Sequence, residues 1–348
     1  MQGADKILLK VVDGECSTLL STKQAALPKA AVPIAIRSTP VSRWIESRRL
    51  IVQNNTGGII IALFGDSIVP HGGIVRLGSV VTMAKSLGIS ESAARSAVAR
   101  LANDGVLESA QVGRRSDYRL PHTEHSLTSS FYRIYLPQHD EWTGQFEFVL
   151  LHQNRFSPAT LIEASESLCC DGFYKVSDVV FVRPVINHSP LTTPLKLLSP
   201  SFSSAFSCFY GDISPNASGG TVYGLLESIL DFSMLDASYA DFVTCHEPLL
   251  EELWNNRNIT PEEAFIVRTY LIYDYQRIVM KAPLLPANLK PPSPAIVKGK
   301  YVVRELYDLL VEKSEAYLGT VLETSDGRYP PLERAFFERF DGLTRLND

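Results

Sequence analysis

The stretch IIIALFGDSIVPHGG, residues 59–73, sets Gly65-Asp66-Ser67 at the end of an apolar run. A strand that delivers a serine to the start of a helix can make it a nucleophile. Such a serine needs an imidazole to take its proton, an acid to orient that imidazole, and donors to hold the oxyanion. A second set of residues suits different chemistry. Ser92, Arg95, Ser96 and Arg100 fall at helical spacing within residues 91–103, and Gly113-Arg114-Arg115 follows on a turn. Small hydroxyls and guanidinium groups in that arrangement suit the base edges and phosphates of DNA.

The nucleophile lacks its partners. The Gly-Asp-Ser block is similar to the opening of GDSL-type hydrolases, which supply their base through a late Asp-x-x-His and an oxyanion donor through Gly-x-Asn. None of the seven histidines, at 71, 122, 125, 139, 152, 188 and 246, has Asp three residues before it, and no Gly-x-Asn occurs. Pro70 and the two glycines after His71 also spoil a helix starting at Ser67. The stretch is expected instead to be the hydrophobic end of a helix, with Gly65 and Gly72-Gly73 allowing the turn and His71 a turn residue.

The second set fares better. At 100° per residue, Ala94, Val98 and Leu101 share one side of the helix and would face a core. Ser92, Ser96 and Asn103 lie opposite, with Arg100 beside them and Arg95 on the flank. Residues 76–120 carry seven arginines and lysines against four carboxylates, a local charge of +3 within a chain of −5. Ser92, Arg95, Ser96 and Arg100 are therefore candidate groove contacts, and Arg114 and Arg115 candidate phosphate contacts.

The elements that would position them read from the same pattern. Ser42–Val52 and Gly58–Phe64 are expected helices around Asn54–Gly58, and Leu77–Ser86 is an amphipathic helix closed by Leu87-Gly88. Ser90 caps a helix over Glu91–Asn103 that Gly105 stops. Val106–Leu107 and Tyr118–Leu120 flank the turn Val112–Ser116 as a hairpin. Helix, turn, helix, hairpin is the order of a winged helix-turn-helix, expected over 44–122. After a polar connection around 121–141, strand Phe146–Leu151, a helix from Ser157-Pro158 to Gly172, and strands Val179–Val182 and Phe206–Tyr210 suggest a ferredoxin-like domain over 140–222. From Tyr223 the chain reads helical to about 320, through Leu226–Phe232, Tyr239–Phe242, Pro261–Met280 and Tyr301–Leu318, interrupted by the proline-rich Leu284–Pro294. Residues 1–43 read as a poorly ordered extension with a brief strand possible at Ile7–Val12, and 321–348 as a mixed tail. The expected class is α+β.

Bulk properties agree. A chain of 348 residues accommodates two or three domains, and 45% hydrophobic with 20% charged residues is ordinary for a globular protein. Cysteines 16, 169, 170, 208 and 245 form no Cys-x-x-Cys pair, so reduced thiols in the cytoplasm are expected, without zinc or a disulfide framework. No apolar run nears the roughly 20 residues needed to span a bilayer.

The segment LFGDSIVPHGGIVRLGSVVTMAKSLGISESAARSAVARLANDGVLESAQVGRRSDYRL resembles the amino-terminal domain of PaaX-type repressors, regulators of phenylacetic acid degradation. The resemblance continues at WTGQFEFVLL (142–151), Phe181–Pro184 and ITPEEAFIVRTYLIYDYQRIVMKAPLLP (259–286), and spans roughly residues 44–318. It implies a winged helix, a middle domain similar to the Cas2 ferredoxin-like fold, and a helical domain linked to dimerisation and effector response. It also implies a homodimeric repressor bound to double-stranded operator DNA and released by an aryl-CoA thioester such as phenylacetyl-CoA. Arg268, Arg277 and Lys281 are candidate receivers of the effector's phosphates.

Cas2 relatives suggest a metal-dependent nuclease, but Leu150-Leu151-His152-Gln153 offers no carboxylate at the end of the first strand. Cys169-Cys170 are expected to be buried rather than metal-bound. No cofactor, metal or membrane partner is expected, and no enzymatic activity. A GDSL-type hydrolase and an interaction module without DNA stay open as alternatives.

Overall fold

A computed structural model of the chain describes residues 39–121, 134–135, 141–170, 172–186, 205–211, 224, 227, 230–280, 282, 285–289, 291–325, 327 and 329–344. The expected strand at Ile7–Val12, most of the 121–141 connection, residues 226, 228 and 229 of the helix expected at Leu226–Phe232, and Lys281 lie outside the described residues. The chain packs as two compact units. One takes Met1–Pro137, Ala240–Met280 and Lys298–Asp348, and the other takes Gln138–Tyr239 and Lys281–Val297.

In the first unit, helix α1 spans Pro40–Gln53 and α2 spans Thr56–Leu63. Asn55 caps α2, its side-chain oxygen accepting from the Gly58 N–H. Because IIIAL is apolar all round, α2 must be surrounded, and every residue from Gly57 to Leu63 is buried. The helix does not end at Phe64 as its apolar run suggests. It continues through a π turn over Phe64–Ile68 and a 3-10 turn over Val69–His71. Gly65 therefore makes no turn. The chain reverses at Gly72, whose φ of 81° lies in the left-handed region that glycine enters without strain.

Strand β1 (Ile74–Arg76) precedes α3 (Leu77–Ser86) and α4 (Glu91–Asn103), which pack on each other and, through α4, on α2. Strands β2 (Glu108–Val112) and β3 (Arg115–Arg119) follow, and the sheet order is β1-β3-β2, antiparallel throughout.

The second unit opens with β4 (Trp142–Leu151), then α5 (Pro158–Cys170), β5 (Tyr174–Lys175), β6 (Val180–Ile186) and β7 (Phe206–Gly211). The antiparallel sheet has order β5-β6-β4-β7. One face of β4 joins Val149 and Leu151 to Ala164, Leu168, Phe173 and Phe181. The other joins Phe146 to Val182 and Leu289. Burial on both faces explains the nearly continuous apolar run of β4. Its one carboxylate, Glu147, is buried and takes Arg183 Nε and Nη2 at 2.7 and 2.6 Å. Cys169, expected to be buried, is exposed.

Helix α6 (Phe232–Asn255) runs unbroken through Pro248, where a helix breaker hid it from sequence reading. Helix α7 spans Pro261–Val279, opened by a capping box between Thr260 and Glu263. Helix α8 covers Pro294–Val321, beginning two turns before the expected Tyr301, and α9 covers Arg334–Phe337. Among the described residues no helix is long and apolar enough to cross a membrane.

Candidate nucleic-acid interface

Helix α4 is fixed from beneath and at its N-terminal end. Ala94, Ala97, Val98 and Leu101 are buried, as the wheel placement of three of them requires. Ser90 Oγ accepts from the Ala93 N–H at 3.3 Å, satisfying one of the first-turn donors. The turn from α3 is clamped by Tyr270 of α7, whose hydroxyl donates 2.8 Å to the Leu87 carbonyl. Ser92, Arg95, Ser96 and Arg100 consequently share one exposed face. Arg95 is already engaged there. Its Nε and Nη2 lie 3.0 and 2.9 Å from Glu91 Oε1, and Lys85 Nζ lies 2.8 Å from Glu91 Oε2. Those two cations, Lys85 first, hold the Glu91 carboxyl below the usual carboxylate range.

The hairpin presents the other two arginines. Val112 and Arg115 are paired, leaving Gly113 and Arg114 as a two-residue loop with Gly113 at φ 63°. A tight hairpin needs positive φ at such a position, which glycine supplies. Arg114 and Arg115 are both exposed at this tip. The hairpin is also strapped by the segment after α8. Asp117, buried in the middle of β3, accepts from Ser325 Oγ at 2.5 Å and Ser325 N at 3.1 Å. Arg115 Nη1 reaches the Ser325 carbonyl at 3.3 Å, and the Arg76 guanidinium pairs with Glu323.

In the same unit a buried charge network joins α2's extension to the C-terminal helices. Asp66 is inaccessible and accepts from Arg268 Nε (2.7 Å), Tyr135 Oη (2.7 Å), Tyr307 Oη (2.9 Å) and Arg339 Nη1 (2.9 Å). Arg268 Nη1 also lies 2.5 Å from Glu315 Oε1, and Glu315 Oε2 is 2.9 Å from His71 Nε2. Burial alone would raise the Glu315 carboxyl, but Arg268 and His71 hold it low. His71 ends its turn as expected, yet it is buried and its Nδ1 donates to the Pro330 carbonyl at 2.7 Å. Ser67 is buried beside Asp66, its Oγ without a partner among the described residues. No ester carbonyl can reach it there.

A second buried cluster lies between α1, α6 and α7. His246 Nδ1 donates 2.9 Å to the Phe242 carbonyl, and its Nε2 stands 3.4 Å from Asp274 Oδ2, which also pairs with Arg48. At 3.4 Å the contact is chiefly charge to charge. Burial opposes the imidazolium, but Asp274 prevails and raises His246 to about 9.

The candidate effector residues separate. Arg268 is wholly buried and saturated by Asp66, Ser314 and Glu315, so it is not offered to a phosphate. Arg277 is partly exposed with its guanidinium 5.6 Å from the Tyr273 ring centre. Among the described residues no group of three or more His, Cys, Asp or Glu could hold a metal ion.

Asp66, Glu91, Asp117 and Ser325 are given no role by the sequence reading. A carboxylate inside IIIALFGDSIV was a legible sign of a buried cation, since charge enters a core only when paired. The Glu91-Arg95 spacing of four was equally legible. Nothing local marks Ser325.

Residues 55–124 match the PaaX-like protein family, and residues 230–320 match the PaaX-like protein C-terminal domain. The transcriptional repressor PaaX of Escherichia coli K12 is 29% identical over 287 residues, covering 82% of this chain and 90% of that protein. Among solved structures, an uncharacterized protein from Mycobacterium tuberculosis aligns over 70% of this chain and 89% of its own, at TM-score 0.40 and 16% identity.

Proposed function

Because the chain belongs to the PaaX-like protein family, we propose that it is a DNA-binding transcriptional repressor of a phenylacetate or related aromatic-catabolism operon. The observation that carries this reading is the exposed Ser92-Arg95-Ser96-Arg100 face of α4, followed in chain order by the arginine-tipped β2–β3 hairpin. In this reading residues 44–122 are a winged helix-turn-helix domain, α4 enters a major groove, and Arg114 and Arg115 neutralise phosphates. The strand order β5-β6-β4-β7 supports a ferredoxin-like middle domain.

The repressor works as a homodimer, its two α4 helices meeting half-sites one helical turn or a multiple apart. An aryl-CoA thioester such as phenylacetyl-CoA releases it. Arg277 and Lys281 remain the effector-phosphate candidates, and Arg268 does not. The protein is not an enzyme in this reading. A buried Ser67 with no imidazole directed to it among the described residues speaks against the GDSL-type hydrolase.

The test is retardation of the DNA upstream of the protein's own gene against a random fragment of equal length. Preferential retardation of the upstream fragment supports the reading. Equal retardation of both, or none, removes it.

A further inference from the structure

Of the cations carried by α3 and α4, two are committed to a single acid. Glu91 stands at the first position of α4, facing Lys85 in the last turn of α3 and Arg95 one turn further along α4. One carboxylate oxygen takes Lys85 at 2.8 Å, and the other takes two nitrogens of Arg95 at 2.9 and 3.0 Å. All three side chains are about half exposed, at 56%, 45% and 50% for Lys85, Glu91 and Arg95. This is an ion triad on the surface that α4 presents, straddling the turn between the two helices. It is not a structural pair buried beneath them. Arg100, also on that face, has no acid within ion-pair distance among the described residues.

Exposed pairs of this kind are weak and screened by salt, so they can be exchanged for another anion. The anions offered by DNA are not alike. Random phosphate presents a point charge, for which Lys85 and Arg95 must leave a carboxylate already at contact distance. A guanine presents O6 and N7 as a matched pair for a planar guanidinium, which a carboxylate at the helix start does not reproduce. The carboxylate therefore penalises every DNA sequence, and a favourable base edge offsets the penalty.

Resting on the DNA-binding reading above, we propose that Glu91 is a specificity-determining residue. It withholds Lys85 and Arg95 from non-specific phosphate contact and lets Arg95 go only where a base edge replaces it. Glu91 touches no DNA in this role. It acts by positioning the two cations.

The experiment measures binding of the full-length protein to the upstream fragment and to random duplex across a salt series. Wild type is compared with Glu91→Gln, Asp104→Asn and the Glu91→Gln/Arg95→Gln double variant. Glu91→Gln keeps the Ser90 cap and the side-chain shape while removing the charge. It should bind random DNA about tenfold tighter, with a salt dependence steeper by about one to two units because two cations are freed. Its preference for the upstream fragment should fall correspondingly. Asp104→Asn removes the same charge from the exposed far end of α4 and should change random binding less than about threefold. In the double variant the added steepness should shrink to about one unit or less, since one freed cation is gone. If Glu91→Gln binds random DNA no tighter than Asp104→Asn does, the proposal is overturned while DNA binding stands. If wild type binds neither fragment, both fall together.

Discussion

Arg268 and Asp66 meet 202 residues apart in the chain, Nε to Oδ2 at 2.7 Å, and neither is accessible to solvent. Asp66 belongs to the segment that carries α3, α4 and the hairpin, whereas Arg268 belongs to α7. Their pairing, shared with Arg339 and extended to Glu315 and His71, makes the candidate reading surface part of the same compact unit as the C-terminal helices. α7 and α8 thus contact the extension of α2 directly, through Arg268 and Tyr307 on Asp66.

Removing one partner from such a network leaves buried charge uncompensated. Asp66→Asn should cost about 3–5 kcal/mol of unfolding free energy, because Arg339 then loses its carboxylate partner and Arg268 keeps only Glu315. Ser67→Ala, next in sequence, should change stability by less than about 1 kcal/mol and leave DNA binding intact, since its buried hydroxyl bonds to nothing described. Urea titration of the two variants checks the contrast. Equal losses would mean that the geometry around Asp66 has been misjudged.

His246 gives stability a pH signature. Its folded value of about 9 exceeds the unfolded value near 6.5, so the folded state binds the extra proton between those limits. The contribution is full below about pH 6.5 and declines as pH rises through 9, by up to about 3 kcal/mol. Denaturation of wild type at pH 6 and pH 9 should show that fall, and His246→Gln should lose most of it. A wild type equally stable at both values would refute the assignment.

The arginines should divide by role. Arg114→Ala is expected to weaken upstream and random DNA alike and to flatten the salt slope by about one unit. Arg95→Ala or Arg100→Ala should cost about 1–3 kcal/mol, mainly on the upstream fragment. Wild-type affinity in all three variants at moderate salt would show that α4 and the hairpin do not dock as proposed.

The strap from Ser325 to Asp117 should matter for the hairpin's aim. Asp117→Ala leaves the Ser325 N–H and hydroxyl without their acceptor and should cost about 1–3 kcal/mol of stability. It should also weaken both DNAs, since the tip is then less fixed. Amide hydrogen exchange in β2 and β3 is the direct measurement, and unchanged protection would show the strap to be incidental.

The effector prediction is a linkage statement. If phenylacetyl-CoA lowers DNA affinity 100-fold, the coupling is about 2.7 kcal/mol, and upstream DNA must weaken thioester binding by the same factor. Titrating the complex with phenylacetyl-CoA, other aryl-CoAs, free coenzyme A and the free acids separates the cases. Release by no thioester, or equally by free coenzyme A, would end this part of the proposal.

The local elements around α4 were legible in the sequence because their causes are local. Leu77–Ser86 and Glu91–Asn103 were bounded by Gly88, Ser90 and Gly105, and the apolar period assigned Ala94, Val98 and Leu101 to the core. Periodicity and caps act over one or two turns, so the exposed face followed directly. What the sequence could not decide was which distant groups meet. The apolar run ending in Phe64-Gly65-Asp66-Ser67 reads as a helix end because Gly65 and Gly72-Gly73 offer a turn. Only the approach of Arg268, Tyr307 and Arg339 allows the helix to continue with Asp66 buried. Likewise Arg268 read as a free cation until its partners, brought together by tertiary packing, enclosed it. Local propensity is written in neighbouring residues, but the stability of a buried charge depends on counter-charges that only the folded chain delivers.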